Sequence, residues 1–419
     1  MHNDLVRVFD DTLPSPGLHL LDTSAFWNPC GGVRRVLSTK HDWLVSQGWR
    51  HTVMAPGADG IDQLDCGGQP LPGSGGYRVV LRRDRPARLI ELARPDLVEA
   101  ADPYTLAWSV LAATQRLQVP AVAFCHSDLP AIAARLVGGT AGMATRRGRW
   151  VAQRARRYLV DLYRHFDLVL APSQALGERL RGWGLSQVMV QPLGVDCRVF
   201  TPAARDAAWR QRLSQRLGLE PRTRLLVYTG RFAPEKNLPL LADAVRRLGP
   251  GHTLLAVGAG PQPPHGPGVH VLPPEPDSAR LARLLASCDA YVHAGDQESF
   301  GLGVLEAMAC GTPVVVSAAG GLGELAHDVG LTVERAHAAE WAEAIQACLR
   351  DTVSQRHLLA LAKAREHDWA WVMAQLSRRY LTLLRRHARS GPPSTPTAVR
   401  GSRAAPLTEP AMARLHPQR

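Results

Sequence analysis

An α/β protein of two doubly wound halves facing a cleft is what three features of this sequence predict. Short apolar runs alternate with helix-period stretches along the chain. That alternation stops and restarts near the middle. The length of 419 residues suits two domains better than one, and a hydrophobic content of 45% lets each half bury a core of its own.

In the first half, LHLLD (18–22), RHTVMAP (50–56), YRVVL (77–81), DLVEAAD (96–102), AVAFCH (121–126) and LVLAPS (168–173) read as strands. Between them, VRRVLSTKHDWLVSQ (33–47) and RWVAQRARRYLVDLYRHF (149–166) carry helical spacing. Short β-branched runs separated by helices argue for parallel strands joined by right-handed crossovers. After QPLGVDCRVFTPAARDAAWRQRL (191–213) the pattern resumes, with strands expected at 224–230, 252–258, 269–273, 289–295 and 312–317. The chain thus divides into a first domain over 1–193, a second over 194–368 with a hinge near Gly194, and an amphipathic helix over 369–389 expected to pack back toward the first. The segment 390–419 holds six prolines, no aromatic residue and a net charge of +3, which predicts a disordered tail.

The formal charge of +12 favours anionic partners, whether nucleic acid, acidic lipid surfaces or phosphorylated substrates. Seven cysteines, odd in number and without a C-x-x-C pair, fit reduced thiols in a cytosol rather than disulfides or a zinc site. MHNDLVRVFDD carries acids where a signal peptide needs a basic start and an apolar run, and no stretch of about 18 apolar residues appears. A cytoplasmic protein is expected.

Chemistry concentrates at loops on the carboxyl side of the strands, where open α/β sheets bind ligands. ESFGLGVLE sets Glu298 and Glu306 eight residues apart, between two buried strands and around the start of a helix. A helix N-terminus offers free amides and partial positive charge to a phosphate, while carboxylates accept from sugar hydroxyls. Two acids flanking such a turn suggest a nucleotide whose ribose, and a second sugar, need hydroxyl contacts. The plainer alternative is a helix cap and a solvated helix face. YTGRFAPEKN (228–237) places Arg231 and Lys236 in a loop able to neutralise a diphosphate. NPCGGVRR (28–35) puts Gly31 and Gly32 before a helix, where a backbone can approach a ligand, or simply make a tight turn. CHSD (125–128) leaves His126 at a strand end.

Taken together, GRFAPEKN, E-S-F-G-L-x-x-x-E and EAMACGTPVV resemble the nucleotide-sugar half of the family 4 glycosyltransferases (glycosyl transferases group 1), retaining enzymes with the GT-B fold of two Rossmann-like domains. PLGVD (192–196) resembles that family's interdomain connection. The likeness is strong over 190–330 and weaker over 18–190. It implies a metal-independent hexosyltransferase that moves a sugar from a nucleotide-diphosphate donor to a glycan or lipid-linked acceptor in bacterial cell-envelope or exopolysaccharide synthesis. The first domain would bind the acceptor and the second the donor. By resemblance, Arg231 and Lys236 would hold the diphosphate with the amides of Gly301 and Leu302, next to Phe300. Glu306 would bind the ribose and Glu298 the transferred sugar. Gly31 and Gly32 would approach the phosphate from the opposite domain, and His126 would touch the donor sugar near the reacting carbon. No D-x-D occurs, so neither a metal-bridged diphosphate nor any cofactor beyond the nucleotide-sugar co-substrate is expected.

Two other readings compete. A nucleotide-binding oxidoreductase is one, since VGAGPQP (257–263) supplies G-x-G after a strand, but the third glycine of a dinucleotide fingerprint is missing. A non-enzymatic basic protein that binds nucleotides or a membrane surface finds support in RRGRWVAQRARR (146–157), six arginines without an acid. A helix there that buries Val151, Ala155, Tyr158, Leu159 and Leu162 would turn arginines toward anionic headgroups. An enzyme peripheral to the inner face of the plasma membrane would use the same surface, and no nucleic-acid partner is expected.

Overall fold

The computed structural model describes residues 17–25, 27, 32–70, 78–350 and 355–390. The chain opens with β1 (His19–Thr23), β2 (Arg50–Ala55) and β3 (Gln63–Asp65), then β4 (Gln69–Pro70) and β5 (Arg78–Val79), followed by β6 (Leu97–Ala100), β7 (Ala121–Phe124), β8 (Leu168–Ala171) and β9 (Val188–Val190). Seven of these form one parallel sheet in the order β3-β2-β1-β6-β7-β8-β9. Its central strands are buried along their whole length, as strands covered on both faces must be. Each fully buried Leu or Val there contributes roughly 1.5–3 kcal/mol.

The stretch 77–81 departs from its reading as a sheet strand. Only Arg78–Val79 is extended, and it pairs antiparallel with β4 in a surface hairpin. Val79 and Leu81 are exposed and only Val80 between them reaches the core, so the run packs one side chain inward and is not buried along its length. Helix Arg146–Tyr163 also departs from the expected face. It buries Ala152, Leu159, Leu162 and Tyr163, whereas Val151 and Ala155 are half-buried and Tyr158 lies at the rim. The Tyr158 hydroxyl donates to the carbonyl of Pro103 at 2.7 Å and accepts from Trp108 Nε1 at 3.1 Å, which holds the ring at the edge of the core.

The second sheet comprises β10 (Arg224–Thr229), β11 (His252–Val257), β12 (Val269–Leu272), β13 (Ala290–His293), β14 (Val314–Ser317) and β15 (Leu331–Val333), parallel in the order β12-β11-β10-β13-β14-β15. The chain crosses between the sheets twice, side by side. Val195 N–H donates to the carbonyl of His367 at 2.9 Å, and Trp369 N–H donates back to Val195 at 3.1 Å. A Cβ on Gly194 would lie 2.6 Å from Trp369 Cε3, so the crossing needs glycine. Helix Trp369–Ser390 then returns to the first domain, where Tyr380 reaches the buried Lys40.

Candidate active site

Two loops of the second domain converge where β10 and β13 end. After β13, the loop through Glu298 runs to helix Leu302–Ala309. Gly301 precedes that helix at φ +108°, and a Cβ there would fall 2.5 Å from Leu322 Cδ2. Both constraints demand glycine, and no side chain caps the helix, which leaves its first amides free for a ligand. Phe300 is buried behind the turn. After β10, the turn Pro234–Lys236 ends on Asn237 in the left-handed region, and its Nδ2 donates to Ala294 O at 2.9 Å. This ties the lysine-bearing turn to the end of β13.

The Lys236 ammonium forms an ion pair with Glu298, whose Oε1 also lies 3.3 Å from His293 Nε2. Gly295 N–H donates to His293 Nδ1, so in the neutral imidazole Nε2 carries the hydrogen and points it at Glu298. Burial pushes the Glu298 carboxyl up, but Lys236 and His293 outweigh it and hold the group well below the usual carboxylate range. Arg231 sits apart, with a side chain 57% exposed and paired with Glu235 at 2.7 Å, against 15% for Lys236. Of the two loop cations, Lys236 is the inner one.

Glu306 projects from the first turns of its helix toward the other domain. There it meets Arg35 of helix Gly32–Ser46 in an ion pair. Burial pushes the Glu306 carboxyl above its ordinary value, and Arg35 offsets this only in part. Gly32 opens the arginine's helix, and a Cβ there would stand 3.4 Å from Leu302 Cδ1. Gly31 lies outside the described residues, as do 391–419 of the expected tail.

His126 follows β7 with its ring stacked on Phe124 at 4.2 Å. Burial drives its pKa down to about 3, so the imidazole is neutral near pH 7. Ser299 Oγ donates to the His126 carbonyl at 2.6 Å, which sets the histidine opposite Glu298. Further contacts close the domains on each other. Arg135 donates to Pro234 O at 2.8 Å and pairs with Asp296 at 2.6 Å. The Glu324 carboxylate accepts from the amides of Gln174 and Ala175 at 2.9 Å each. Between the domains remains a compartment of about 300 Å³ lined by Asp128, Arg135, Arg179, Asp296 and Glu298 among others.

The structure thus gathers Glu298, Glu306, Lys236, His126, Gly32, Gly301 and Leu302 at one cleft and leaves Arg231 at its rim. Sequence reasoning missed Arg35, His293, Arg135 and Glu324. Arg35 stood inside the quoted GGVRR run, but its partner is 271 residues away.

The family described as Glycosyltransferase Family 4 matches residues 30–199, and that described as glycosyl transferases group 1 matches 223–351. A GDP-mannose-dependent alpha-mannosyltransferase of Mycobacterium tuberculosis is 32% identical over 301 residues, covering 68% of this chain and 72% of that protein. The GDP-mannose-dependent alpha-(1-6)-phosphatidylinositol dimannoside mannosyltransferase of the same species is 27% identical over 86% of this chain and 94% of its own length. Sulfoquinovosyl transferase SQD2 of Arabidopsis thaliana is 31% identical over 57% of this chain, and the match spans 46% of the plant protein. Among solved structures, the sucrose-phosphate synthase of Thermosynechococcus elongatus superposes with a TM-score of 0.71 at 21% identity, covering 88% of this chain and all of that one.

Proposed function

We propose, from the premise that this chain belongs to the family 4 glycosyltransferases and is a glycosyltransferase of the GT-B fold, that it transfers a hexosyl group from a nucleotide-diphosphate sugar to a glycan or lipid-linked acceptor with retention of configuration. The observation that carries the reading is the pair Glu298 and Glu306, which bracket an open helix N-terminus and each face a cation.

Glu306 would accept from the ribose hydroxyls and Glu298 from hydroxyls of the transferred sugar. The diphosphate would lie on the amides of Gly301 and Leu302, between Lys236 and the start of helix Gly32–Ser46, with Gly31 approaching from that domain too and Arg231 at the rim. These groups would do the work a metal does elsewhere, stabilising negative charge as it grows on the leaving diphosphate. The acceptor oxygen would attack the anomeric carbon from the face the diphosphate leaves. The carbon–oxygen bond to phosphate breaks and its electron pair stays on the phosphate oxygen. That departing phosphate takes the acceptor's proton as the new glycosidic bond forms. His126, neutral by burial, would act as a hydrogen-bonding wall beside the sugar and not as a cationic acid.

A place against an anionic membrane, at the inner face of the bacterial plasma membrane and in envelope polysaccharide synthesis, is supported by the segment joining helices Leu129–Gly138 and Arg146–Tyr163. That segment exposes Met143, and the helices flanking it expose Leu136 (83%), Val137 and Trp150 (60%) beside the six arginines. The Arg154 guanidinium lies 5.3 Å from the Trp150 ring centre. Met143 also lines the cleft compartment. Among the described residues no helix is long and apolar enough to cross a membrane.

The test is a thermal-shift and hydrolysis screen of GDP-, UDP- and ADP-sugars, begun with GDP-mannose because two relatives carry that dependence in their names. Binding and slow donor hydrolysis are expected. Lys236→Ala should weaken nucleotide diphosphate roughly tenfold or more, the worth of a charge-assisted hydrogen bond. If no nucleoside diphosphate stabilises the protein, the donor assignment is wrong.

A further inference from the structure

The acids assigned to the donor's hydroxyls are already occupied, Glu298 by Lys236 and Glu306 by Arg35. Lys236 belongs to the proposed diphosphate clamp. Arg35 has no part in it, yet it reaches across from the first domain to the helix whose free amides would receive phosphate. Arg35 lies one turn beyond Gly32, which faces Leu302 at contact distance. Glu306 follows Leu302 by four residues on that helix, about 6 Å along its axis, so the guanidinium it holds rests one helical turn from those amides.

Two constraints meet at this ion pair. Ribose hydroxyls cannot use the Glu306 carboxylate fully while the guanidinium holds it. The half-buried guanidinium, for its part, resists release into a cleft whose acids Asp128, Asp296 and Glu298 are already paired with Arg179, Arg135 and Lys236. A nucleoside diphosphate satisfies both at once, bringing hydroxyls for the acid and anionic oxygens for the arginine.

We infer that Arg35 is a donor-binding residue that works by partner exchange. It holds Glu306 in the empty cleft and passes to the diphosphate when ribose takes the carboxylate. The inference rests on the donor reading above and adds to it a diphosphate contact from the opposite domain. It also makes the two ends of the donor interdependent. A nucleoside alone leaves Arg35 without an anion, and pyrophosphate alone leaves Glu306 without a partner, so each fragment binds more weakly than its share of the whole.

Calorimetric titration of folded variants tests this, using inorganic pyrophosphate, the diphosphates GDP, UDP and ADP, and their nucleosides. Glu306→Gln frees Arg35 in advance, so pyrophosphate should bind roughly fivefold or more tighter than to wild type, and adding Arg35→Gln should erase that gain. Arg35→Gln alone should weaken the cognate diphosphate roughly tenfold or more while the nucleoside binds as well as before or better. Equal pyrophosphate affinity in wild type and Glu306→Gln would overturn the exchange. So would an equal loss of nucleoside and diphosphate in Arg35→Gln, which a simple cross-cleft strut gives. If Arg35→Gln fails to fold, the pyrophosphate comparison on Glu306→Gln still decides. A wild type that binds no nucleoside diphosphate would instead overturn the donor reading, and the pyrophosphate gain would still report on Arg35.

Discussion

Glu298 and Glu306 should fail differently when altered. Glu306 would meet the ribose, present in nucleotide and nucleotide-sugar alike, so Glu306→Ala should weaken both by a similar factor. Glu298 would meet only the transferred sugar. Glu298→Gln should leave nucleotide affinity nearly intact and cut turnover sharply, if its hydrogen bonds tighten in the transition state. Near-normal turnover in that variant would remove its role. Acid titration separates Glu298 from a further carboxylate, Asp102, in sign. Glu298 is held low by Lys236 and His293, so its contribution to stability is present above the ordinary carboxylate range and lost as pH falls. Asp102 is raised by burial to about 6 although it accepts from the amides of Ala25 and Tyr104. Its contribution is therefore full below the unfolded carboxyl's pKa and lost as pH rises through about 6. Asp102→Asn should flatten the pH dependence of unfolding free energy over that window in urea titrations, and an unchanged slope would contradict the burial argument. At this scale, the eight-residue spacing of the two acids was legible because both lie on one loop and helix. Their pairing with cations was not, since Lys236, legible as a loop cation, and Arg35, which was not, reach them only through the tertiary structure.

Among the elements, central strands announce themselves because burial on both faces leaves an unbroken apolar run, as in β7 and β8. The edge strands β3, β9 and β15 escaped the reading. Each is three residues long and carries exposed or half-exposed positions, so its sequence shows neither a run nor an alternation. The stretch 77–81 was read too long for the same reason, since an apolar pattern reports a capacity to be buried, and here only Val80 reaches the core beside a two-residue strand. The helix Arg146–Tyr163 invites a direct test. Sedimentation with vesicles containing acidic phospholipid should carry the protein down, and neutral vesicles should not. Salt should weaken the binding because exposed charges are screened over roughly 8–10 Å. Trp150→Ala should weaken it while leaving donor hydrolysis in solution unchanged. Binding that ignores both salt and lipid charge would reduce the arginines to a solvated face.

On the scale of the whole molecule, the doubled alternation was enough to predict two domains and a cleft. What ties helix Trp369–Ser390 to the first domain was hidden, because a lysine within a helical pattern reads as solvent-facing. Lys40 is instead fully buried, 2.8 Å from Asp22 on β1, 2.6 Å from Glu99 on β6, and 3.1 Å from the hydroxyl of Tyr380 on the last helix. The Tyr380 hydroxyl in turn donates to Glu99 at 2.6 Å. Burial alone would lower the lysine's pKa, but the two carboxylates outweigh it and raise it, so the ammonium persists at all neutral pH values. Lys40→Met should therefore destabilise the protein by about 3–5 kcal/mol, because it leaves buried carboxylates without a cation. Part of that loss is relieved when a carboxyl takes up a proton, and Glu99, already raised by burial, is the one poised to do so. The deficit of Lys40→Met relative to wild type should then shrink as pH falls. The double variant Lys40→Met/Glu99→Gln should recover stability over Lys40→Met, because it removes the stranded charge at nearly constant volume. Urea unfolding of the three proteins at two pH values measures this. If the second substitution lowers stability further and the pH dependence matches wild type, the cost comes from lost packing, and the ion cluster does not fasten the last helix to the first domain.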